Sequence, residues 1–182
     1  MSTRQKLLLI LPLALILCFM VGCQDKEAMA ELEAFKAQVE VEEQNIAVVK
    51  RLYEELNKGN TEILQELYAP DYAGYSPSGS DKALSREEII EHVKMFWRVF
   101  PDLILDIQDI IAKGDKVIVR SINTGTHKGD FQGIPATGGK VKGSEIVIFR
   151  MQDGKVVEER AESDMLGVMM QIGMELKPKE KE

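Results

Sequence analysis

Cysteine and histidine are scarce in this 182-residue chain, which contains two of each. Both cysteines, Cys18 and Cys23, lie near the N-terminus, so the rest of the chain cannot supply a disulfide, a cysteine metal site or a cysteine nucleophile. The two histidines, His92 and His127, are far apart in the sequence. With so few nitrogen and sulfur ligands, the sequence predicts no metal site.

The chain also lacks an excess of positive charge, proline or glycine. Its 23 Lys and Arg residues against 30 Asp and Glu give a net charge of -7, without a basic stripe. A nucleic-acid partner is therefore excluded, because its phosphates would be repelled. Six prolines, 14 glycines and a hydrophobic content of 45% exclude a disordered or collagen-like chain and predict one globular domain.

One long apolar run, residues 7–20, follows the basic residues Arg4 and Lys6 and turns polar at Gln24. Its length of about 14 residues is short for a membrane-spanning helix, which needs about 20. The pattern is typical of a secretion signal over residues 1–22, with an uncleaved membrane anchor as the alternative. The small residues before Cys23 resemble a bacterial lipoprotein signal, in which that cysteine receives the lipid. We therefore expect an exported protein of the cell envelope, attached to the membrane through Cys23.

Residues 23–44 are rich in Ala, Glu and Lys, with sparse apolar residues at spacings of three and four. This composition predicts a tether with helical tendency, and a solvated extension of the first domain helix fits it equally well. We expect the folded domain over residues 45–174 and a solvated, charged tail over residues 175–182.

Two helices are predicted at the start of this domain. The first ends at Lys58-Gly59, with a basic last turn and a left-handed cap. Its apolar face comprises Val49, Leu52, Tyr53 and Leu56. Asn60 is expected to cap a short second helix that runs to about Tyr68.

A third helix and a set of strands follow. Ser85 and Glu88 form a capping box that opens the helix, and Pro101 stops it. Four strands are expected, over residues 103–107, 117–122, 145–151 and 156–162. Asp153-Gly154 is a strong signal for a hairpin between the last two. A short apolar helix over residues 165–174 completes an α+β fold, in which helices cover one face of a largely antiparallel sheet.

Several segments together resemble the SnoaL-like polyketide or ester cyclases over about residues 45–174. They are "VVKRLYEELNKGN", "LYAPDY", "FPDLILDIQDIIAKGDKVIVR", "GTHKGDFQGIP" and "DGKVVEE…DMLGVMMQIG". The resemblance implies a cone of the nuclear-transport-factor-like or cystatin-like type, with a curved, mostly antiparallel sheet covered by about three helices. It also implies a pocket between sheet and helices, and a homodimer through the open face of the sheet. The characterised cyclases close a ring by intramolecular aldol chemistry, without metal or organic cofactor.

The chain departs from this family at two positions that handle protons. The resemblance places the catalytic aspartate of the cyclases at Ala161 and its assisting histidine at Val147. Neither replacement can move a proton, so a cyclase of the known mechanism is not expected. A glutamine beside that histidine in the family corresponds to Glu145.

Three acidic residues remain as candidates for acid–base chemistry. If Val147 and Ala161 point into the cavity, Glu145 and Glu159 line it too, because alternate strand residues share a face. The favoured alternative places both at a wet rim, or pairs Glu145 with a basic side chain. Asp164 is the third candidate, and an N-cap of the last helix is its simpler role.

Aromatic residues give a further set of candidates for the cavity wall. Tyr53, Tyr72 and Trp97 either line a pocket for a flat ligand or fill the core. His127 lies in a glycine-rich segment that predicts solvent exposure, and His92 is expected at the partly buried margin of the third helix.

We therefore expect an exported, lipid-anchored domain that binds a small apolar molecule in its cone. One alternative is a cofactor-free cyclase, isomerase or hydrolase that uses Glu145, Glu159 or Asp164. The other is a dimerisation or interaction module of the cell envelope.

Overall fold

The computed structural model describes the backbone of residues 3–177 and the side chains of residues 26–177. These described residues divide into two compact units, with the division between Glu40 and Val41. The side chain of Cys23 and most of the predicted charged tail lie outside the described residues. Over the described part of the chain, no helix has both the length and the apolarity needed to cross a membrane.

The described residues form four helices and five strands. In chain order these are α1 (Thr3–Asn57), α2 (Ile63–Leu67), β1 (Tyr68–Tyr75), α3 (Arg86–Val99), β2 (Ile104–Lys113), β3 (Lys116–Thr126), β4 (Lys140–Gln152), β5 (Lys155–Ser163) and α4 (Met165–Gln171). The predicted α+β class is confirmed. All four predicted strands are present, and each is longer than its apolar run suggested.

The five strands form one curved, unclosed sheet in the order β1-β5-β4-β3-β2. β1 and β5 are parallel, and the other three pairs are antiparallel. The predicted, mostly antiparallel sheet is thus confirmed. One face of the sheet carries a row of exposed isoleucines from three neighbouring strands, Ile111, Ile118 and Ile148. A homodimer through this face stays a prediction.

Helix α1 buries the apolar face predicted for the first helix, so that Val49, Leu52, Tyr53 and Leu56 are all core residues. Gly59 follows with a φ of 77°, and Asn60 N–H donates to the carbonyl of Glu55, which is the expected left-handed helix end. Residues 26–44 are helical as part of α1, with Met29, Leu32 and Phe35 exposed to solvent.

The local signals for α3 and for the last hairpin are also confirmed. The Ser85 side chain accepts from Glu88 N–H while the Glu88 carboxylate accepts from Ser85 N–H. Between β4 and β5, Asp153 and Gly154 have φ values of 50° and 72°, as a tight hairpin turn requires at both central positions.

The segment around Tyr68 is where the sequence prediction is wrong. Asn60 does not cap α2; its side-chain amide donates instead to Glu55, 2.8 Å away, and the helix begins only at Ile63. Tyr68 then starts β1, a strand that the sequence reasoning missed. Pro70 hid this strand, but a proline is tolerated in an edge strand, and β1 is at the edge with an irregular register between Tyr68 and Ala73.

Candidate functional site

A cavity of about 190 Å³ lies between the sheet and the helices of the second unit. Its wall is mainly apolar and aromatic. Helical residues that line it are Leu52, Tyr53 and Leu56 of α1, Leu64 of α2, Ile89, His92, Val93, Phe96 and Trp97 of α3, and Met165 and Val168 of α4. The polar part of the wall comes mostly from the sheet, through Asn123, Glu145 and Glu159.

Strand register places the two carboxylates on the cavity face. Val147 pairs with Ala161 across β4 and β5, and Phe149 pairs with Glu159 one step along the same face. Glu145 is on this face too, opposite Ser163. Directly opposed residues of antiparallel strands project to the same side of the sheet. Because the buried Val147 and Ala161 face the cavity, Glu145 and Glu159 face it too.

Glu159 is held by two tyrosines of β1. The Tyr68 hydroxyl donates to Glu159 Oε2 over 2.6 Å, and the Tyr72 hydroxyl donates to the same oxygen over 3.3 Å. Burial raises the pKa of the Glu159 carboxyl to about 7, and the nearby charge of Glu145 adds to this, although the tyrosine hydrogen bonds oppose it. The group can therefore both release and accept a proton near neutrality.

Glu145 is the second carboxylate of the wall. Its Oε2 accepts from the Asn123 amide over 3.2 Å. Burial raises the pKa of this carboxyl, while the hydrogen bond from Asn123 lowers it. Within residues 26–177 neither glutamate forms a salt bridge, and both are only partly accessible. The expected basic partner of Glu145 is thus not found among the described residues, and the strand register places both side chains on the cavity face, where each keeps some access to solvent.

The structure separates the three aromatic candidates. Tyr53 and Trp97 line the cavity. Tyr72 does not, since its ring stacks on Tyr68 at a centroid distance of 4.5 Å behind the wall. Only its hydroxyl is connected to the site, through Glu159.

Asp164 is placed at the junction of β5 and α4. Its Oδ1 accepts from Gly167 N–H over 2.9 Å, which makes it the N-cap of α4. The side chain also borders the cavity, but its carboxylate is engaged by the helix end.

The predicted exposure of His127 is wrong, since its side chain is 0% exposed. The segment after it closes on itself, with His127 N–H donating to Gly139 and Gly138 N–H donating back to His127. The ring packs on Phe100 and does not reach the cavity. His92 borders the cavity from α3 and is more exposed than the sequence suggested.

Two polar residues of the site were missed from the sequence. Tyr68 was assigned to a helix, so nothing suggested that it would reach β5. Asn123 is on β3, two residues after Ser121, so the two side chains are on the same face of the strand. Ser121 pairs with Glu145. The period of two along residues 117–123 was the signal that placed Asn123 on the cavity face.

The raised pKa of Glu159 predicts a stability that depends on pH. The unfolded carboxyl ionises near 4.5 and the folded one near 7, so the unfolding free energy falls as pH rises between these values. The Glu159→Gln variant has no carboxyl at this position, so its unfolding free energy should not fall in this way as pH rises. We expect the variant to be more stable than the native chain at pH 8 by about 1–3 kcal/mol, and little changed at pH 5. Urea unfolding followed by Trp97 fluorescence measures the difference.

Glu158→Gln is the matched control on the same strand. Burial raises the pKa of Glu158, but hydrogen bonds and charges from Arg160 and Arg150 outweigh it and lower the pKa overall. Its stabilising effect is therefore present at pH 8 and lost in acid, the opposite sign. Equal pH dependence of the two variants would contradict the assignment.

The chain matches the SnoaL-like polyketide cyclases over residues 47–172. It is 27% identical over 131 residues to the aklanonic acid methyl ester cyclase DnrD of Streptomyces peucetius, covering 70% of this chain and 90% of the relative. Its identity to the aklanonic acid methyl ester cyclase AcmA of Streptomyces galilaeus is 26% over 133 residues, covering 71% and 91%.

Solved structures agree with the sequence comparison. IdmH of Streptomyces antibioticus, assigned as a polyketide cyclase, has a TM-score of 0.64 at 31% identity. The match covers 72% of this chain and 99% of the IdmH chain. AclR of Streptomyces galilaeus, assigned as a hydroxylase, has a TM-score of 0.68 at 26% identity, with coverage of 72% and 97%. The fold and the family implied by the sequence motifs are confirmed, and the chain belongs to the SnoaL-like polyketide cyclase family.

Proposed function

We propose that the domain binds a small, largely apolar molecule in the cavity between sheet and helices. The observation that carries this proposal is the mainly apolar cavity of about 190 Å³ with two carboxylates in its wall. A cavity of about 150 Å³ in another protein holds benzene, so this space suits a molecule of one or two rings. The relatives are named as cyclases of a methyl ester, which supports a small organic ligand here as well.

A bulky residue at the centre of the cavity face is predicted to abolish binding. Val147 is 4% exposed and lines the cavity. The phenyl ring of Val147→Phe is larger than the valine side chain and would occupy the space that a ligand needs. Titration of the native chain with 2-tetralone, followed by Trp97 fluorescence and calorimetry, should give saturable binding. The variant should lose it by at least about tenfold, which corresponds to about 1.4 kcal/mol.

Val41→Phe is the control, because it makes the same change at a residue that is 48% exposed on α1. Its affinity should equal that of the native chain. Absence of saturable binding to the native chain by any apolar probe of this size would contradict the proposal.

We propose as a second candidate function that Glu159 transfers a proton to and from the bound molecule. In the cyclases that this chain resembles, the aspartate that does so corresponds to Ala161. Glu159 is two residues before that position on the same face of β5. Both tyrosine hydrogen bonds go to Oε2, so Oε1 is directed to no hydrogen-bond donor among residues 26–177 and can meet a ligand.

The chemistry requires a carbon acid beside a carbonyl group. The Glu159 carboxylate takes the proton from that carbon, the electron pair moves into the carbonyl as an enolate, and the carboxylic acid returns a proton to the carbon. Tyr68 keeps the carboxylate oriented through its 2.6 Å hydrogen bond. The mainly apolar wall strengthens the base, because the pKa of the carboxyl is raised toward neutrality.

This candidate predicts exchange of the protons beside the carbonyl of 2-tetralone with deuterium from solvent, measured by NMR. Glu159→Gln should lower the catalysed rate at least about 100-fold, since a positioned base contributes about that much. The native rate should rise with pH and level off above about pH 7, where Glu159 is ionised. Glu158→Gln should leave the rate unchanged. Full activity of the Glu159→Gln variant would exclude this role.

We also propose that the protein is exported and held at the membrane by a lipid on Cys23. The apolar run over residues 7–20 and the small residues before Cys23 support this. Cys23→Ser should abolish incorporation of a radiolabelled fatty acid in a bacterial host. Cys18→Ser is the control, because Cys18 is within the signal that would be removed. Equal labelling of both variants would contradict the anchor.

A further inference from the structure

The polar patch of the cavity, formed by Asn123, Glu145 and Glu159, has acceptor oxygens that receive no hydrogen bond from the described residues. The donors that reach the carboxylates are Tyr68 and Tyr72, which donate to Glu159, and Asn123, which donates to Glu145. Asn123 Oδ1 is buried and has no hydrogen-bond partner in the described part of the chain. The second oxygen of each glutamate also receives no hydrogen bond from residues 26–177.

A deeper polar group points in the same direction. Ser121 is 0% exposed and pairs across the sheet with Glu145, so both project to the cavity side. Its Oγ has no well-aligned hydrogen-bond partner among the described residues, and the side chain that interacts with it is Tyr53, through its hydroxyl. Buried polar atoms without partners are uncommon in folded proteins; Asn123 Oδ1 is an acceptor, and the Ser121 hydroxyl can accept or donate.

The charges around the cavity are of one sign. Glu145, Glu159 and Asp164 border it, whereas the residues that line it include no lysine and no arginine among residues 26–177. Two enclosed carboxylates without a cation are costly, because each has lost water without gaining an opposite charge. A bound cation with N–H donors would remove both deficits.

We infer that the ligand of this cavity is an organic amine, with an ammonium group directed to Glu145 and Glu159 and a compact apolar body against the helices. This inference rests on the proposed binding function and names the chemical class of its ligand. An ammonium supplies three donors and a positive charge, which matches the free acceptors of the patch. Aromatic side chains of the wall, among them Tyr53, Tyr68 and Trp97, add favourable contacts to a cation.

The same geometry discriminates against anions. A carboxylate ligand would face Glu145 and Glu159 without a basic partner in the lining, so it should bind least. A neutral alcohol of the same shape can fill the cavity and donate one hydrogen bond, but it leaves both carboxylates without an opposite charge. The expected order of affinity is therefore amine, then alcohol, then carboxylate.

Trp97 gives a direct reporter for the test, since it is the one tryptophan of the chain and it lines the cavity. The probes are cyclohexylmethylamine, cyclohexylmethanol and cyclohexanecarboxylate, which share one ring and do not absorb where tryptophan is excited. The full chain is titrated with each at pH 8, and Val147→Phe measures any signal that arises outside the cavity. The amine should bind at least about tenfold more tightly than the alcohol, as a charged hydrogen bond predicts.

Two variants separate charge from shape. Glu159→Gln and Glu145→Gln each keep the size of the side chain and remove one charge, so each should reduce the preference for the amine and leave the affinity for the alcohol within about twofold. Glu158→Gln, which changes an outward carboxylate of β5 paired with Arg150 and Arg160, should keep the native preference.

The pH dependence of the amine affinity is an independent test of the role of Glu159. Glu159 faces Tyr68 and Tyr72 from β1, Tyr53 from α1 and Glu145 from β4, while His92 and Asp164 border the same cavity. As pH rises from 5.5 to 8 Glu159 ionises, so the amine should bind about tenfold more tightly, and the alcohol should not. Glu159→Gln should remove most of this gain in affinity. A gain caused by the loss of positive charge on His92 would instead persist in that variant.

The outcomes distinguish the two levels of the proposal. If the alcohol binds as tightly as the amine, or the carboxylate binds best, the amine inference is wrong while an apolar ligand site remains. If none of the three probes binds but 2-tetralone does, the amine inference alone is wrong; if 2-tetralone also gives no saturable signal that Val147→Phe abolishes, the binding function is wrong, and the inference with it.

Discussion

The placement of Glu159 in a mainly apolar cavity is the constraint on which the electrostatics of this cavity depend. Phe149 and Ala161 lie on the same face of the sheet as Glu159, so the register that buries an apolar face also buries the carboxylate. Tyr68 and Tyr72 hold the group from the edge strand β1, and Glu145 adds a like charge. An ionised carboxylate in such surroundings is costly, and the pKa moves toward neutrality because the protonated form is favoured.

The fold of this chain is that of its family, whereas its cavity wall has other side chains than the resemblance implies. The cone supplies a space between a curved sheet and helices, and strand alternation decides which side chains enter it. At the positions that the resemblance assigns to a histidine and an aspartate, Val147 and Ala161 make that part of the wall apolar. The acidic groups of this chain enter the same space from neighbouring positions, so the charge of the wall comes from Glu145 and Glu159.

Much of the fold could be predicted from local sequence. The capping box at Ser85, the hairpin at Asp153-Gly154 and the apolar face of α1 each depend on residues close together in the chain, and each is present. The prediction was wrong where distant residues compete with local preference. Tyr68 reads as the end of a helix, yet pairing with β5 makes it a strand residue, and Phe100 draws the local segment of His127 into the core.

The sequence by itself determined most of the helices and strands and the family, and it has Ala161 and Val147 where the resemblance places an aspartate and a histidine. It also placed Glu145 and Glu159 on the face of those two residues, because alternation along a strand is local. Whether these carboxylates meet water or protein was decided by the tertiary structure alone. Their surroundings come from α1, α3 and β1, and desolvation depends on what packs around a charge rather than on its neighbours in sequence.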